Sequence, residues 1–348
     1  MPLPPLYGHE GIRNRLVGAI ASGRLPQALL FQGPRGVGKQ RLALWVAQAL
    51  LCEHAGGAAP CATCQACKLV TTLSHPDLHW FVPIELGKKG TAADKQVDLA
   101  AEALAEAMAA RRDGPLYEPP SGLANHGIAS VRLLLRQLVL TPALARRKVF
   151  IVGNAERLVP QPVNPEAANA LLKALEEPPG DTVFVLTAAE PDALLPTVLS
   201  RVVRVRVARI GDSVVAAFAR RELGLTSQRE LAQRVAVAEG CIGRLLADGE
   251  RGARGSDAAD DFLAAVAAGA HRRHAFALTQ QPFQARGAFT EMLDGLLEQL
   301  RQRARAGAET AKVVEAIARV LDARALAQGN VNPQLLTAVL ADDLAEPA

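Results

Sequence analysis

The stretch GPRGVGKQ, residues 33–40, predicts a phosphate-binding loop of the P-loop type. It follows an apolar run at residues 28–31, ALLF, that predicts a buried strand, and it precedes residues 41–50, whose apolar spacing predicts a helix. In this context Gly33, Gly36 and Gly38 let backbone N–H groups turn toward an anion, while Lys39 supplies a point charge for the outer phosphates. We therefore expect an α/β domain with a parallel sheet around this loop.

The predicted loop departs from a working ATPase at its last position. A Ser or Thr there would ligate magnesium, whereas Gln40 presents a longer, neutral amide. A second departure follows the apolar run 149–152, VFIV, which predicts a central strand buried on both faces. Such a strand should end in two acidic residues, but the next four residues read GNAE. Glu156 is expected beyond the strand tip, so the sequence predicts no ATP hydrolysis and leaves nucleotide binding open.

Composition sets outer bounds on the protein. Its 348 residues, 49% of them hydrophobic, predict two or three globular domains. A net charge of +4 is compatible with nucleic-acid proximity but is equally usual for an arginine-rich protein. No apolar run reaches the length of a membrane span, and the N-terminus lacks the features of a signal peptide, which together predict a cytoplasmic protein.

Four of the five cysteines lie in one short stretch, at Cys52, Cys61, Cys64 and Cys67. The two short Cys-x-x-Cys steps form tight knuckles, and the glycine-rich gap lets Cys52 fold back, so all four thiolates can reach one tetrahedral ion. Four protein ligands leave no open position for water, which predicts a structural zinc site. The alternative is a set of free thiols, and His54 is a further ligand candidate that four thiolates make unnecessary.

The rest of the chain predicts further elements with less definite roles. Residues 85–127 read as a polar insertion with one amphipathic helix near 96–112, whose function the sequence does not indicate. Residues 182–187 predict a buried strand that ends with the hydroxyl of Thr187 where a phosphate would lie. Further on, residues 251–256 are typical of a linker, and the periodicity beyond them predicts a bundle of about five helices.

Together these residues resemble the clamp-loader branch of the AAA+ ATPases, and most closely the delta-prime family of bacterial DNA polymerase III subunits. The likeness extends from about residue 7 to 207. It implies a degenerate AAA+ nucleotide domain with a zinc module, then a small helical lid and an all-α collar. The motifs that carry it are RLPQALLF at 24–31, the four-cysteine module at 52–67, NALLKALEEPP at 169–179 and Ser200-Arg201. The implied domains are 1–208, 209–250 and 255–348.

The resemblance also implies roles for individual residues. Arg201 matches the arginine that reaches the ATP held by a neighbouring subunit, although Val202 stands where the family motif has Cys. Thr187 matches a sensor position, and Gly243 stands where the motor subunits carry a nucleotide-sensing arginine. Since that arginine, the magnesium ligand and the acidic pair are all missing, the resemblance implies a non-hydrolysing subunit of the DNA-directed DNA polymerase holoenzyme. Gly33, Gly36, Gly38 and Lys39 remain candidates for binding an anion or nucleotide.

The resemblance implies a stator for DNA replication. It would assemble with ATP-hydrolysing motor subunits and the delta subunit, supply an arginine finger in trans, and help to load the sliding clamp on primed DNA. Two alternatives stay open: an active gamma/tau-like motor subunit, which would need Glu156 or another group as catalyst, and a zinc-stabilised DNA-binding protein without ATPase partners.

Overall fold

The computed structural model describes nine segments of the chain, which fall into two units that divide between Leu246 and Ala247. Within these segments no helix is long and apolar enough to cross a membrane. The described segments are residues 3–54, 59–86, 92–113, 124–159, 165–247, 250–280, 286–305, 310–327 and 331–345.

The first unit alternates strands and helices. Its elements in chain order are α1 (Glu10–Ala21), β1 (Ala28–Gln32), α2 (Lys39–Leu51), α3 (Gln65–Thr71), β2 (Leu78–Phe81), α4 (Ala93–Asp113), α5 (Ile128–Leu138), β3 (Lys148–Val152), α6 (Glu166–Glu176), β4 (Thr182–Ala188), α7 (Pro196–Leu199), β5 (Val203–Arg206), α8 (Asp212–Glu222), α9 (Gln228–Ala238) and α10 (Ile242–Ala247).

The five strands form one parallel sheet in the order β2-β3-β4-β1-β5. The three inner strands β1, β3 and β4 are the apolar runs of the sequence, and burial on both faces explains why they lack polar alternation. The edge strand β5 carries the alternating arginines and is largely exposed. The predicted α/β fold is confirmed, and the parallel arrangement brings the strand ends to the sheet edge where the P-loop begins.

The helix predicted within the insertion is present as α4. Its apolar side packs against α5, and Val97, Ala100 and Leu104 are buried there. Parts of the predicted insertion, residues 87–91 and 114–123, lie outside the described residues. The insertion is thus anchored to the sheet domain by an ordinary amphipathic helix contact.

Helices α8, α9 and α10 surround a small apolar cluster of their own, which includes Val215, Phe218, Leu231 and Leu245. The ring of Tyr7 packs edge-on against Phe218, with 5.2 Å between ring centroids. This cluster corresponds to the predicted lid, which belongs to the first unit; the exact boundaries of the lid remain a prediction.

The described part of the second unit contains five helices, which agrees with the predicted bundle of about five. Their shared core includes Phe262, Leu293, Leu296, Val320 and Leu340. These helices are α11 (Glu250–Ala267), α12 (Ala270–Thr279), α13 (Arg286–Arg305), α14 (Thr310–Ala327) and α15 (Pro333–Ala345).

The predicted linker at residues 251–256 is wrong, because these residues belong to α11. The glycine at its end serves close packing instead of flexibility. A Cβ on Gly255 would lie 2.8 Å from the carbonyl oxygen of Glu291, and a Cβ on Gly295 would lie 2.3 Å from the carbonyl oxygen of Gly255. The backbones of α11 and α13 therefore approach at a distance that only glycine permits.

Replacing Gly295 with alanine should destabilise the second unit by about 1–3 kcal/mol, because the added methyl group overlaps the backbone of α11. Gly18→Ala is the matched control, since nothing lies within 4 Å of a Cβ at this helical glycine. That control should be neutral or stabilising, by up to about 1 kcal/mol. Hydrogen exchange of amides in α11 and α13 of the full chain measures the effect, and equal exchange in both variants would contradict the packing described.

Candidate nucleotide site and cysteine cluster

The predicted P-loop joins the end of β1 to the start of α2, as the sequence indicates. Gly36 and Gly38 adopt positive φ angles of 76° and 99°, a conformation that favours glycine. A Cβ on Gly33 would lie only 2.2 Å from the carbonyl oxygen of Val207. The three glycines therefore serve the shape of the loop and its contact with the chain that follows β5.

Lys39 turns back onto its own loop. Its Nζ atom donates hydrogen bonds of 2.8 Å to the carbonyl oxygens of Gly33 and Pro34. The residue is only 8% exposed, and burial lowers the pKa of its ammonium group to about 8. In this arrangement the donors that would meet outer phosphates are engaged with the loop backbone.

The start of α10 packs directly on the P-loop. The backbone N–H of Gly243 donates to the carbonyl oxygen of Gly36 at 2.8 Å, and a Cβ on Gly243 would lie 2.5 Å from the Cα atom of Gly36. His9 Nε2 also donates to the loop, to the carbonyl oxygen of Val37 at 2.9 Å. An arginine at position 243, as the resemblance implies for motor subunits, is incompatible with this backbone contact.

An amide pair occupies the end of β3, where an ATPase has its acidic residues. Gln40 Nε2 donates to Asn154 Oδ1 at 2.7 Å, and the backbone N–H of Asn154 donates to Thr187 Oγ1 at 3.1 Å. The buried His126 donates from Nε2 to the carbonyl oxygen of Gly153 at 2.7 Å, and burial lowers its pKa to about 4. Thr187 thus lies at the predicted edge of the sheet, but its hydroxyl accepts a hydrogen bond from the backbone of Asn154.

Glu156 lies beyond the end of β3, as expected, but the chain there brings its carboxyl near Lys39. Asn154 adopts a left-handed conformation (φ 54°, ψ 53°), which turns the chain into a short 3₁₀ helix over the sheet edge. Glu156 Oε1 accepts from the backbone N–H of Ala189 at 3.3 Å, while Oε2 is buried without a hydrogen-bond partner among the described residues. Burial raises the pKa of this carboxyl, and the nearby charges of Lys39 and Arg35 oppose the shift.

Arg201 lies just after α7, and its side chain is 27% exposed. Its Nη1 atom donates to the carbonyl oxygen of Thr197 at 2.7 Å, and its Nη2 atom forms an ion pair with Glu176 at the end of α6. The guanidinium is therefore oriented by a backbone carbonyl and a carboxylate, and it remains partly accessible.

The four predicted cysteine ligands come together between α2 and α3. Their sulfur atoms lie within 4.8 Å of one another, with 3.8 Å between Cys52 and Cys64 and 3.9 Å between Cys61 and Cys67. A tetrahedron with metal–sulfur distances of about 2.3 Å has edges of about 3.8 Å, so the spacing fits one ion. The spacing is also far too long for disulfide bonds.

Backbone N–H groups point at the sulfur atoms. Cys61, Cys64 and Cys67 donate from their backbones to the sulfurs of Cys52, Cys61 and Cys64 at 3.5, 3.3 and 3.4 Å. The backbone N–H groups of Thr63 and Cys64 lower the pKa of the Cys61 thiol to about 5, which favours the thiolate that a metal needs. His54 Nδ1 lies 3.8 Å from Cys61 Sγ, at the margin of the four-sulfur group. The cluster could hold a metal ion.

Two residues that contact the strand ends at the candidate nucleotide site, His126 and Arg111, were not predicted from the sequence. His126 supports Gly153, and Arg111 of α4 lies over the indole of Trp80 with 4.3 Å from Cζ to the ring centroid. No spacing rule connects an insertion helix to a strand end, so the only signal for Arg111 was its place near the end of an amphipathic helix.

The comparisons with known proteins identify the family. The family described as DNA polymerase III, delta subunit, matches residues 8–211, which is more than half of the chain. The chain belongs to this family. It is 36% identical over 178 residues to the DNA polymerase III subunit delta' of Pseudomonas aeruginosa, and 32% identical over 190 residues to that of Bacillus subtilis. The predicted relationship to delta-prime subunits is therefore confirmed.

The matches are partial in length. They cover 51% and 55% of this chain but only 42% and 44% of the two delta' proteins. The tau subunit of Bacillus subtilis DNA polymerase III is 29% identical over 210 residues, which is 60% of this chain and 30% of that protein. The similarity therefore includes subunits of both kinds, and the site geometry has to distinguish between them.

Proposed function

We propose that this chain is a non-hydrolysing stator subunit of a DNA polymerase III clamp loader. It assembles with ATP-hydrolysing motor subunits and the delta subunit, and through them it helps to load the sliding clamp on primed DNA. Membership of the family and similarity to delta' and tau subunits support a place in that assembly.

The observation that carries the non-hydrolysing role is the closed P-loop. Lys39 is bound to the loop carbonyls, and the backbone contact between Gly36 and Gly243 joins the loop to α10. Gln40 and Asn154 bond to each other where a magnesium ion would need a hydroxyl and carboxylates. Neutral amides bonded in this way offer no metal site comparable to that of an ATPase.

The proposed contribution to chemistry is made in trans by Arg201. A guanidinium that reaches a neighbour's nucleotide stabilises the charge that develops on the transferred phosphoryl group. The contacts with Thr197 and Glu176 keep its planar group at the edge of the sheet domain. If the Arg201 guanidinium leaves Glu176, it can bind phosphate oxygens instead. Arginine binds phosphate, like carboxylate, through two parallel hydrogen bonds.

We also propose that the four-cysteine cluster holds a structural zinc ion. Cys52 ends α2 and Cys64 caps α3, so a bound ion would fix the angle between these helices. Four cysteine ligands at tetrahedral spacing fill the usual coordination of zinc, which favours a structural role over a catalytic one.

The isolated chain is expected to show no ATP turnover above that of a Lys39→Ala control, measured as phosphate release with magnesium. The placement of Glu156 near Lys39 favours the motor alternative over other rivals, because a buried carboxylate with a raised pKa is a candidate base. Turnover by the wild-type chain that disappears in Glu156→Gln would establish that alternative and overturn the stator proposal.

A further inference from the structure

The insertion helix α4 reaches the nucleotide site through Arg111. The guanidinium lies 4.3 Å from the centroid of the Trp80 ring, and Trp80 belongs to β2, next to β3 in the sheet. Arg111 Nη1 is also 3.5 Å from Gln40 Oε1, a long hydrogen bond. The cation–π contact lies well within the usual limit of about 6 Å, and with only 9% of Trp80 exposed, water screens it little.

These contacts orient the amide of Gln40. Its oxygen faces the Arg111 cation, and its nitrogen donates to Asn154 Oδ1 at 2.7 Å. An amide oriented the other way would place its N–H₂ group against the guanidinium, so Arg111 selects the orientation that bonds to Asn154. Three side chains from α4, α2 and the end of β3 thus form one connected network.

The network crowds position 153, where an ATPase has one of its acidic residues. A Cβ on Gly153 would lie 2.9 Å from Gln40 Nε2 and 3.3 Å from Trp80 Nε1. Trp80 Nε1 is itself buried without a hydrogen-bond partner in the described segments. The indole is therefore held by packing and by the Arg111 cation, and a side chain at position 153 would require the Gln40 amide to shift.

We propose that helix α4 of the insertion is an intrachain plug of the degenerate nucleotide site. Arg111 brings a fixed positive charge to the place where an ATPase binds a divalent cation, and it holds Gln40 against Asn154 so that the strand end stays closed. This inference rests on the proposed function, since it explains how the non-hydrolysing site is kept shut. It gives α4 a role within the subunit that is independent of partners.

A double-mutant cycle without nucleotide tests the plug. In the full chain, Arg111→Ala is expected to speed amide exchange at residues 153–155 about tenfold, because a buried cation–π contact that restrains the strand end is lost. Gln40→Ala should give a similar increase. The double variant should exchange no faster than about the faster single variant, because both residues act through one network.

Lys95→Ala is the matched control, since it removes an exposed positive charge from α4 about 24 Å along the helix from Arg111. It should leave exchange at residues 153–155 unchanged and combine additively with Gln40→Ala. A second measurement uses Trp45→Phe, which leaves Trp80 as the sole tryptophan, and follows acrylamide quenching. Arg111→Ala should increase quenching of Trp80 about twofold or more as the indole loses its cover.

Two results would overturn the plug: unchanged exchange and quenching in a folded Arg111→Ala variant, or full additivity of the Arg111 and Gln40 changes. Circular dichroism of each variant establishes that it is folded, and Arg111→Lys, which keeps the charge but loses the planar group, should fall between wild type and Arg111→Ala. The proposed function would be overturned by a different result, which is ATP turnover by the isolated wild-type chain. Failure of the plug and failure of the proposed function are therefore distinguishable.

Discussion

In the proposed assembly, replacing Arg201 with alanine is expected to lower ATP turnover at the neighbouring motor subunit's site by about 10³-fold or more. The nucleotide, magnesium and attacking water would belong to the neighbouring motor subunit, so its affinity for ATP should change far less than its turnover. The loss is in transition-state charge stabilisation, which a partly exposed arginine at a domain edge is placed to provide.

The measurement needs an assembly in which this one site dominates. We would reconstitute the chain with motor subunits whose own matching Ser-Arg-Cys arginines have been replaced, so that Arg201 is the remaining finger. Arg204→Ala is the matched control, because it removes an exposed arginine from β5 only three residues away. Arg201→Lys keeps the charge but loses the planar fork, and it should recover only part of the turnover.

Equal turnover with Arg201→Ala and wild type, in assemblies of the same composition, would show that Arg201 has no role in trans. A parallel fall for Arg204→Ala would point to general loss of charge at the interface. Sedimentation of both assemblies distinguishes these results from simple failure to assemble.

Replacing Cys64 with serine is expected to abolish stoichiometric zinc binding and to unfold the segment between α2 and α3. Structural zinc contributes an apparent binding free energy of about 10–16 kcal/mol in small zinc-finger peptides, so loss of one thiolate removes more than the local packing can replace. Cys64 is central to the cluster, because its backbone N–H donates to Cys61 and its sulfur accepts from Cys67. Metal analysis and hydrogen exchange at residues 61–71 measure the two effects.

Cys241→Ser is the matched control, because Cys241 is a buried cysteine outside the cluster. It should retain one zinc ion per chain even if it lowers stability. Zinc content equal to wild type in purified Cys64→Ser would contradict the assignment. Unchanged hydrogen exchange in α3 of the wild-type chain after prolonged treatment with a strong chelator would contradict it as well.

The sequence predicted the sheet well because its signals are local. Each inner strand is a short apolar run, and burial on both faces requires that composition wherever the strand lies in the sheet. The four cysteines were equally predictable, since tetrahedral coordination constrains their spacing along the chain. The loop glycines followed from the strand–loop–helix context.

The failures share a different cause, which is contact between distant segments. The proximity of Glu156 to Lys39 was not predicted, because a single left-handed residue, Asn154, redirects the chain, and asparagine adopts that conformation without a distinctive pattern. Glycines at residues 251–256 suggested a linker, whereas Gly255 allows α11 to contact α13. Arg111 could not be assigned to the site, because its partners lie about 30 and 70 residues earlier in the chain.

The contact between Gly36 and Gly243 has a thermodynamic consequence. A ligand shifts a conformational equilibrium only by the difference in its affinity for the two states. The backbone contact between the P-loop and α10 favours a single arrangement of the sheet domain and its helical cluster, which would leave nucleotide little to select. In the assembly that we propose, a change in ATP concentration should therefore leave this subunit's internal geometry constant, and the subunit would serve as a fixed reference for nucleotide-driven movements of its neighbours.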